Sequence, residues 1–266
     1  MKINYYQIGW LSCWLLWVGG LQAQLPAHLP HGHAHNDYDK VWPALHTALQ
    51  KGFRSIEVDV YPYRGQLKVA HWPFALGKAP TLEELYLQPL DSLFKVSSPW
   101  LTPQAPLILM IDIKGQGPLA QELLHHLCQQ YSHLFSFFDN KKHQAGVIQL
   151  LLSGQYDWAH SLQFSPQYWQ LDGRWQYLEE TNQWFPRISQ PYKASFAWKG
   201  RGTMPPKEQQ LLKELVKKAH DAGKKLRFWG APNHKKLWKI LQEAGVDWIQ
   251  VDDLEAYEQF CKEQHQ

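Results

Sequence analysis

The chain has 266 residues, enough for one substantial domain with a buried core even after loss of a short leader. An apolar share of 44% excludes a disordered chain, and a formal charge of +3 is too small and too dispersed for a nucleic-acid-binding protein. Fourteen tryptophans suit core packing first, and a sugar- or lipid-binding surface second.

Residues 1–23 read as a secretory signal. Lys2 provides the positive start, Ile8 to Leu21 is largely apolar, and Ala23 is a small residue before the expected cut. The apolar run is short for a spanning helix. The expectation is an exported, periplasmic or secreted protein whose mature part, residues 24–266, is a single domain. Cys128 and Cys261 remain in it. An oxidising compartment would let them pair if they lie close together, and neither has the spacing of a zinc site.

The mature chain opens with His33-Ala-His35-Asn36-Asp-Tyr. Trp42 to Lys51 has apolar residues at helical spacing and stops at Gly52. Arg54 to Tyr61 is a β-branched strand holding Glu57 and Asp59. A turn at Arg64-Gly65 and a short segment Gln66 to Ala70 lead to His71. Leu107 to Ile113 is a continuous apolar run, expected of a strand buried on both faces, and it carries Asp112 just before Lys114. Pro118 to Tyr131 predicts a helix with proline in its first turn. Val147 to Leu152, Ala194 to Trp198, Lys225 to Trp229 and Trp248 to Val251 predict further strands. Pro206 to Ala222 and His234 to Ala244 predict helices ending at Gly223 and Gly245. Gln155 to Arg201 is rich in Pro, Gly and aromatics and predicts a long lid or binding loops.

Alternating strands and helices mean parallel strands with helical crossovers. The expected fold is α/β, a single-domain TIM-like (β/α) barrel with some helices irregular or missing. An open doubly wound sheet is the alternative. The barrel is favoured because the polar candidates recur at strand C-terminal ends, which a barrel gathers at one mouth.

Glu57 and Asp59 are two apart in a strand and share a face. Inward carboxylates this close repel each other, and a divalent cation relieves that cost. Oxygen-only ligation suits Mg²⁺ or Ca²⁺ better than zinc. Alone, Glu-x-Asp is as readily a solvent-facing alternation. Asp112 shifts the balance, because a charge closing an apolar run is costly unless ligated or paired. Lys114 is its same-face neighbour and either an ion-pair partner or a charge for the reaction. His33, His35 and His71 are candidates for proton transfer. Asn36 is placed to orient a ligand or water, and Asp37 and Tyr38 to support the site or cap the next helix. His-x-His also opens metal-dependent amidohydrolase barrels. The later histidines those enzymes need are missing here: His143, His160, His220 and His234 close no apolar strand, and Glu57-x-Asp59 has no role in that scheme.

His-Ala-His-Asn-Asp-Tyr, Ser-Ile-Glu-Val-Asp-Val, Val-Ala-His and Ile-Asp-Ile-Lys together resemble the glycerophosphodiester phosphodiesterase/phosphatidylinositol phospholipase C-like superfamily. The nearer likeness is to its His-Ser/Ala-His-Asn-Asp-Tyr branch of bacterial exported proteins and fungal altered-inheritance-of-mitochondria proteins. It continues through Asp172-Gly-Arg174, Trp198-Lys-Gly200, Arg227-Phe-Trp229-Gly-Ala-Pro232 and Gly245 to Asp252. The resemblance implies a TIM-like barrel with one divalent cation, Mg²⁺ or Ca²⁺, on Glu57, Asp59 and Asp112. It implies His71 as one catalytic histidine, His33 or His35 as the other, and Lys114 beside the phosphate. Gly32-His33-x-x-Asn36 matches the toxin-type phospholipase D pattern and points to His33; the His35-Asn-Asp-Tyr core leaves His35 open.

The implied substrate is a small-molecule or lipid phosphodiester, with transient membrane-surface contact in the lipid case and no nucleic acid. The chain lacks the His-Arg-Gly start and Glu-Asn-Thr segment of glycerophosphodiesterases, and has Asp112 where they usually carry Glu. Those departures bear on glycerol specificity more than on the reaction. Arg174, Arg227 and Trp229 are candidate headgroup contacts, although packing and ion-pair roles suit each of them. The expected activity is phosphoric diester hydrolysis by two-histidine acid/base catalysis, with water or a substrate hydroxyl as nucleophile. The competing readings are a non-catalytic phospho-ligand-binding barrel, an amidohydrolase and a phosphatase.

Overall fold

The computed structural model describes residues 29, 31–41, 43–140 and 142–264. The expected leader lies outside the described residues. The strands are β1 Gly32–His35, β2 Ser55–Tyr63, β3 Gln66–Val69, β4 Leu107–Ile113, β5 Phe137–Asp139, β6 Lys142–Gln144, β7 Ile148–Gly154, β8 Trp169–Gly173, β9 Arg187–Pro191, β10 Lys225–Trp229 and β11 Trp248–Val251. The helices are α1 Ala44–Gln50, α2 Gln88–Lys95, α3 Gly117–Gln130, α4 Trp158–Ser161, α5 Tyr192–Ser195, α6 Pro206–Asp221, α7 Lys235–Glu243 and α8 Leu254–Gln264.

Strands β1, β2, β4, β7, β8, β9, β10 and β11 pair in parallel in that order, and β11 pairs back onto β1. The result is a closed eight-stranded parallel barrel with helices outside. An open sheet would have left β1 and β11 as edges. Strand β3 folds back antiparallel on β2 through the Arg64-Gly65 turn, and β5 and β6 form a separate hairpin. Helices α4 and α5 are single turns, the irregularity expected from sequence.

Register explains why the apolar runs read so clearly. Ile56, Leu109 and Leu150 are level across β2, β4 and β7 and, like Val58, Ile111 and Leu152, belong to the core between strands and helices. The alternate residues face into the barrel. Asp59, Asp112 and Ser153 are level on that inner side. A strand buried on both faces thus has an oily outer face and, here, a charged inner one.

That charged interior overturns one expectation. Residues 155–201 are not a lid; they supply two barrel strands, β8 and β9. Their inward residues are Asp172, Arg187 and Ser189, all buried. Arg187 Nε donates to Asp172 Oδ1 at 2.9 Å, and the Ser189 hydroxyl donates to the same oxygen at 2.6 Å. Strands that carry their charge inward have the composition of loops. Ala194 to Trp198 is not a strand: Ala194 and Ser195 end α5, and the following residues run outside any strand. Cys128 on α3 and Cys261 on α8 are both buried, and no disulfide joins the two.

Candidate active site

Asp59 and Asp112 end up side by side because β2 and β4 are parallel and in register there. Glu57 lies one inward position deeper on β2. One oxygen from each of the three carboxylates lies within 4.8 Å of the others. Gly154 makes room for this cluster: at φ +74° its absent Cβ would stand 2.3 Å from Asp112 Oδ1 and 2.3 Å from the Ile113 carbonyl oxygen.

The three carboxylates are electrostatically unlike. Burial alone would push Glu57 up, but the Arg227 guanidinium and the His33 N–H hold it well below the usual carboxylate range. Burial pushes Asp59 up to about 6; Lys114 opposes this, while the Asp112 and Glu57 charges add to it. Asp112 is raised by burial and by Glu57, against Lys114. Asp59 Oδ1 is buried and accepts no hydrogen bond, though the Lys114 ammonium stands 3.2 Å away. Lys114 also pairs with Asp112, and these carboxylates raise its proton affinity despite burial. Three crowded oxygen donors, two of them inclined to hold a proton, form a set that fits a hard divalent cation.

The two histidines of the opening motif lie on one face of β1 at different depths. His33 is level with Gln250 and completely buried. Its Nε2–H donates to Glu57 Oε2 at 2.9 Å, and its Nδ1 accepts from the Ser55 hydroxyl at 2.7 Å. Burial, with Arg227 nearby, pulls its pKa down to about 3 against the pull of Glu57, so the ring is neutral. His35, level with Glu57, reaches the cavity. Its Nδ1 donates to Asp252 Oδ1 at 2.6 Å, and its Nε2 lies 3.9 Å from Glu57 Oε1. Burial opposes the charged ring, but the bond to Asp252 and the Glu57 charge outweigh it and raise the pKa. Asp252 is fixed in turn: it accepts from the Asn233 side chain, and its N–H donates to Asn233 Oδ1 at 2.8 Å.

His71 leaves β3 where the hairpin returns to the mouth. Its Nδ1 is 3.5 Å from Asp59 Oδ2, and the Asn36 amide nitrogen is 3.2 Å from it. Asn36 adopts a left-handed conformation, φ 51°, and also donates to Asp59 Oδ2 at 3.0 Å. Expected as a ligand contact, Asn36 is instead buried between Asp59 and His71. Asp37 does not cap α1; it is buried and accepts from the Tyr86 hydroxyl.

Glu57 and Asp112 open into a cavity of about 420 Å³ lined also by His35, Lys114, Arg174 and Trp229, with Ser153 and Gln250 among the remaining wall; Asp59 and His71 lie beside it, outside its lining. Arg174 is tied to the Gly173 carbonyl at 3.1 Å and to Asp172. Trp229 is partly exposed at the end of β10. Arg227, expected as a headgroup contact, reaches the cavity floor only as the buried partner of Glu57, and it also stands 3.9 Å from Asp172. Its charge is already matched, which leaves little for a ligand.

Asp252 stood in the sequence only as the end of the Gly245 to Asp252 motif, not as the partner of His35. The signal was present: Gln250-Val-Asp252 ends an apolar strand with the same alternation as Glu57-Val-Asp59. Ser153 and Arg187 carried no local signal, and Ser55 and Asp172 stood only inside motifs with no role of their own.

A family model for an AIM6-like phosphodiesterase domain matches residues 27–166. Over 285 aligned positions the chain is 27% identical to altered inheritance of mitochondria protein 6 of Eremothecium gossypii, covering 91% of this chain and 72% of that protein. It is 24% identical over 259 positions to the homolog in Arthroderma benhamiae, covering 84% and 81%. Among solved structures it is similar to a glycerophosphodiester phosphodiesterase from Parabacteroides distasonis, with a TM-score of 0.59 at 16% identity over 89% of this chain and 99% of that one. A second such enzyme, from Agrobacterium tumefaciens, gives 0.52 at 14% over 88% and 99%. At these identities the structural likeness speaks for the barrel.

Proposed function

The chain belongs to the AIM6-like phosphodiesterase family, and from that premise we propose that it is a metal-dependent phosphoric diester hydrolase acting on a glycerophosphodiester or phospholipid-type substrate. The observation that carries the reading is the convergence of the Glu57, Asp59 and Asp112 oxygens beside a cavity that Glu57, Asp112, His35 and Lys114 line. A phosphate monoanion is matched by such a set: a site for a divalent cation, a fixed ammonium and an imidazole that transfers a proton.

Glu57, Asp59 and Asp112 would hold one cation, Mg²⁺ or Ca²⁺. When bound, it supplies Lewis-acid neutralisation of a non-bridging phosphate oxygen. Lys114 contributes a preorganised positive charge on the same side, kept protonated by Asp112 and Asp59. His35 presents Nε2 to the cavity because Asp252 occupies Nδ1. Its raised pKa favours a proton-loaded ring, suited to protonating the leaving alkoxide. His71, held near Asp59 by Asn36, is assigned to take the proton of the nucleophile, either water or a substrate hydroxyl that would leave a cyclic phosphate. His33 is assigned a supporting role, since a fully buried neutral ring with both nitrogens bonded has no proton to exchange with a ligand. Arg174, Trp229, Ser153 and Gln250 would contact the headgroup.

The test is protein stripped with EDTA and assayed on glycerophosphodiesters, lysophospholipids, phosphoinositides and a phosphomonoester. Diester hydrolysis should vanish in EDTA and return with Mg²⁺ or Ca²⁺. Turnover of the monoester alone would establish a phosphatase, and ligand binding without turnover of any diester a non-catalytic barrel. Export belongs to the same proposal, and cell fractionation with N-terminal sequencing of the mature protein decides it.

A further inference from the structure

The turn after His71 reads Trp72-Pro-Phe74-Ala-Leu76, five apolar residues in a row. Soluble proteins hide such runs; here Trp72 is 58% exposed, Phe74 is 86% exposed, and Pro73 and Ala75 are exposed as well. The two large rings do not pack into the core. They stack on each other, nearly parallel, with centroids 6.5 Å apart. The platform is continuous with the candidate site, because the Trp72 ring meets the His71 ring edge-on at 4.8 Å. His71 is itself within 3.5 Å of Asp59.

Along the chain the turn lies in a basic stretch, although Asp39 stands 3.6 Å from His71 on its site-facing side. From Val60 to Leu82 the chain has no Asp or Glu but has Arg64, Lys68 and Lys78, whereas the whole protein is nearly balanced, with 27 basic against 24 acidic residues. An exposed apolar run flanked by bases is the chemistry of a surface that enters the headgroup boundary of an anionic lipid layer. A sugar-binding platform would need hydrogen-bonding groups around the rings, and Pro73, Phe74, Ala75 and Leu76 bring none on their side chains. Among the described residues no helix is long and apolar enough to cross a membrane.

Building on the phosphodiesterase reading, we infer that the Trp72–Leu76 turn docks the barrel mouth on an anionic lipid surface, so that the site takes its phosphodiester from a lipid carried in that surface. The geometry suits this: the turn starts one residue after His71, which stands 3.5 Å from Asp59, so the docked face adjoins the carboxylate cluster. Trp72 would lie at the headgroup level and Phe74 deeper.

The test uses the full-length protein, wild type and Phe74→Ser, with Phe74→Leu as the conservative variant. Phe74 packs against no core residue, and circular dichroism confirms that the variants fold. Binding is measured by co-sedimentation with vesicles of phosphatidylcholine, with and without phosphatidylglycerol. Hydrolysis of the water-soluble bis(4-nitrophenyl) phosphate is measured in parallel with added Mg²⁺ or Ca²⁺. The wild type should bind the vesicles containing phosphatidylglycerol more tightly. Phe74→Ser should lose on the order of tenfold or more in binding, Phe74→Leu should keep most of it, and soluble-diester hydrolysis should be the same in all three. Failure of the wild type to bind vesicles, or equal binding by Phe74→Ser, overturns the inference. So does a wild-type dimer that Phe74→Ser dissociates, since a second copy would then cover the platform. Phe74-dependent vesicle binding with no diester hydrolysis would uphold the docking surface and overturn the phosphodiesterase reading instead.

Discussion

His35 Nδ1 lies 2.6 Å from Asp252 Oδ1, across the seam where β1 and β11 close the barrel. The bond fixes which nitrogen faces the cavity and raises the proton affinity of the ring. Asp252→Asn should therefore lower kcat on the order of a hundredfold while KM changes little. The pH-rate limb that belongs to His35 should move to lower pH, because the carboxylate that favours the charged ring is gone. A variant with full kcat and an unmoved profile would show that Asp252 does not position His35.

His71→Ala should lower turnover by roughly a hundred- to ten-thousand-fold without loss of fold, since the ring is partly exposed and the mutation leaves Asn36 bound to Asp59. Steady-state kinetics on a soluble diester decides this. Unchanged kcat in a folded variant removes His71 from the mechanism.

The cation site can be read without any substrate. Mg²⁺ or Ca²⁺ at about a hundred times its Kd should stabilise the wild type by about 2.7 kcal/mol, seen as a rise in Tm. Asp112→Asn should abolish that rise. Gly154→Ala should do the same indirectly, because its new Cβ would displace the Asp112 carboxylate. A cation-induced rise of wild-type size in Asp112→Asn would place the ion elsewhere.

Arg227 and Glu57 form a buried ion pair beneath the cavity. Arg227→Met leaves the buried Glu57 without its guanidinium partner, while Asp172 keeps Arg187, and should destabilise the fold by about 3–5 kcal/mol, measured by urea denaturation. A loss under about 1 kcal/mol would mean that water already shields the pair.

Asp37 gives a pH signature. Burial raises its pKa to about 7 from an ordinary 3.8, against the hydrogen bonds from Tyr86 and the backbone. The folded state therefore binds a proton more tightly than the unfolded state. Its contribution is fully present below pH 4 and is lost as pH rises through 7, by at most about 4 kcal/mol for a shift of this size. Asp37→Asn should flatten that fall, so the difference in stability between variant and wild type should grow from pH 4 to pH 7. A constant difference across the range would refute the assignment.

The barrel and most of the candidate site were legible because both are written in local patterns. Ile56, Val58 and Val60 alternate with Glu57 and Asp59, and a parallel strand buried on both faces needs that oily outer edge. Asp112 stood out because a charge inside Leu107–Ile113 has no local reason to be there. Strands β8 and β9 were missed for the converse reason. Asp172, Arg187 and Ser189 satisfy one another across strands, and a charge that is paired only in three dimensions looks solvent-exposed in one.

By itself the sequence determined the strand–helix alternation, the three carboxylates and the presence of histidines around them, since periodicity and residue chemistry are properties of neighbouring positions. Only the tertiary structure decided between His33 and His35 as the ring that meets the cavity. The two are chemically identical and two residues apart, on the same face of the same strand. What separates them is depth: His33 lies one inward layer down, bonded to Ser55 and Glu57, and His35 lies at the rim, bonded to Asp252. Depth along a barrel axis is set by the register of strands that are distant in the chain, and no local pattern encodes it.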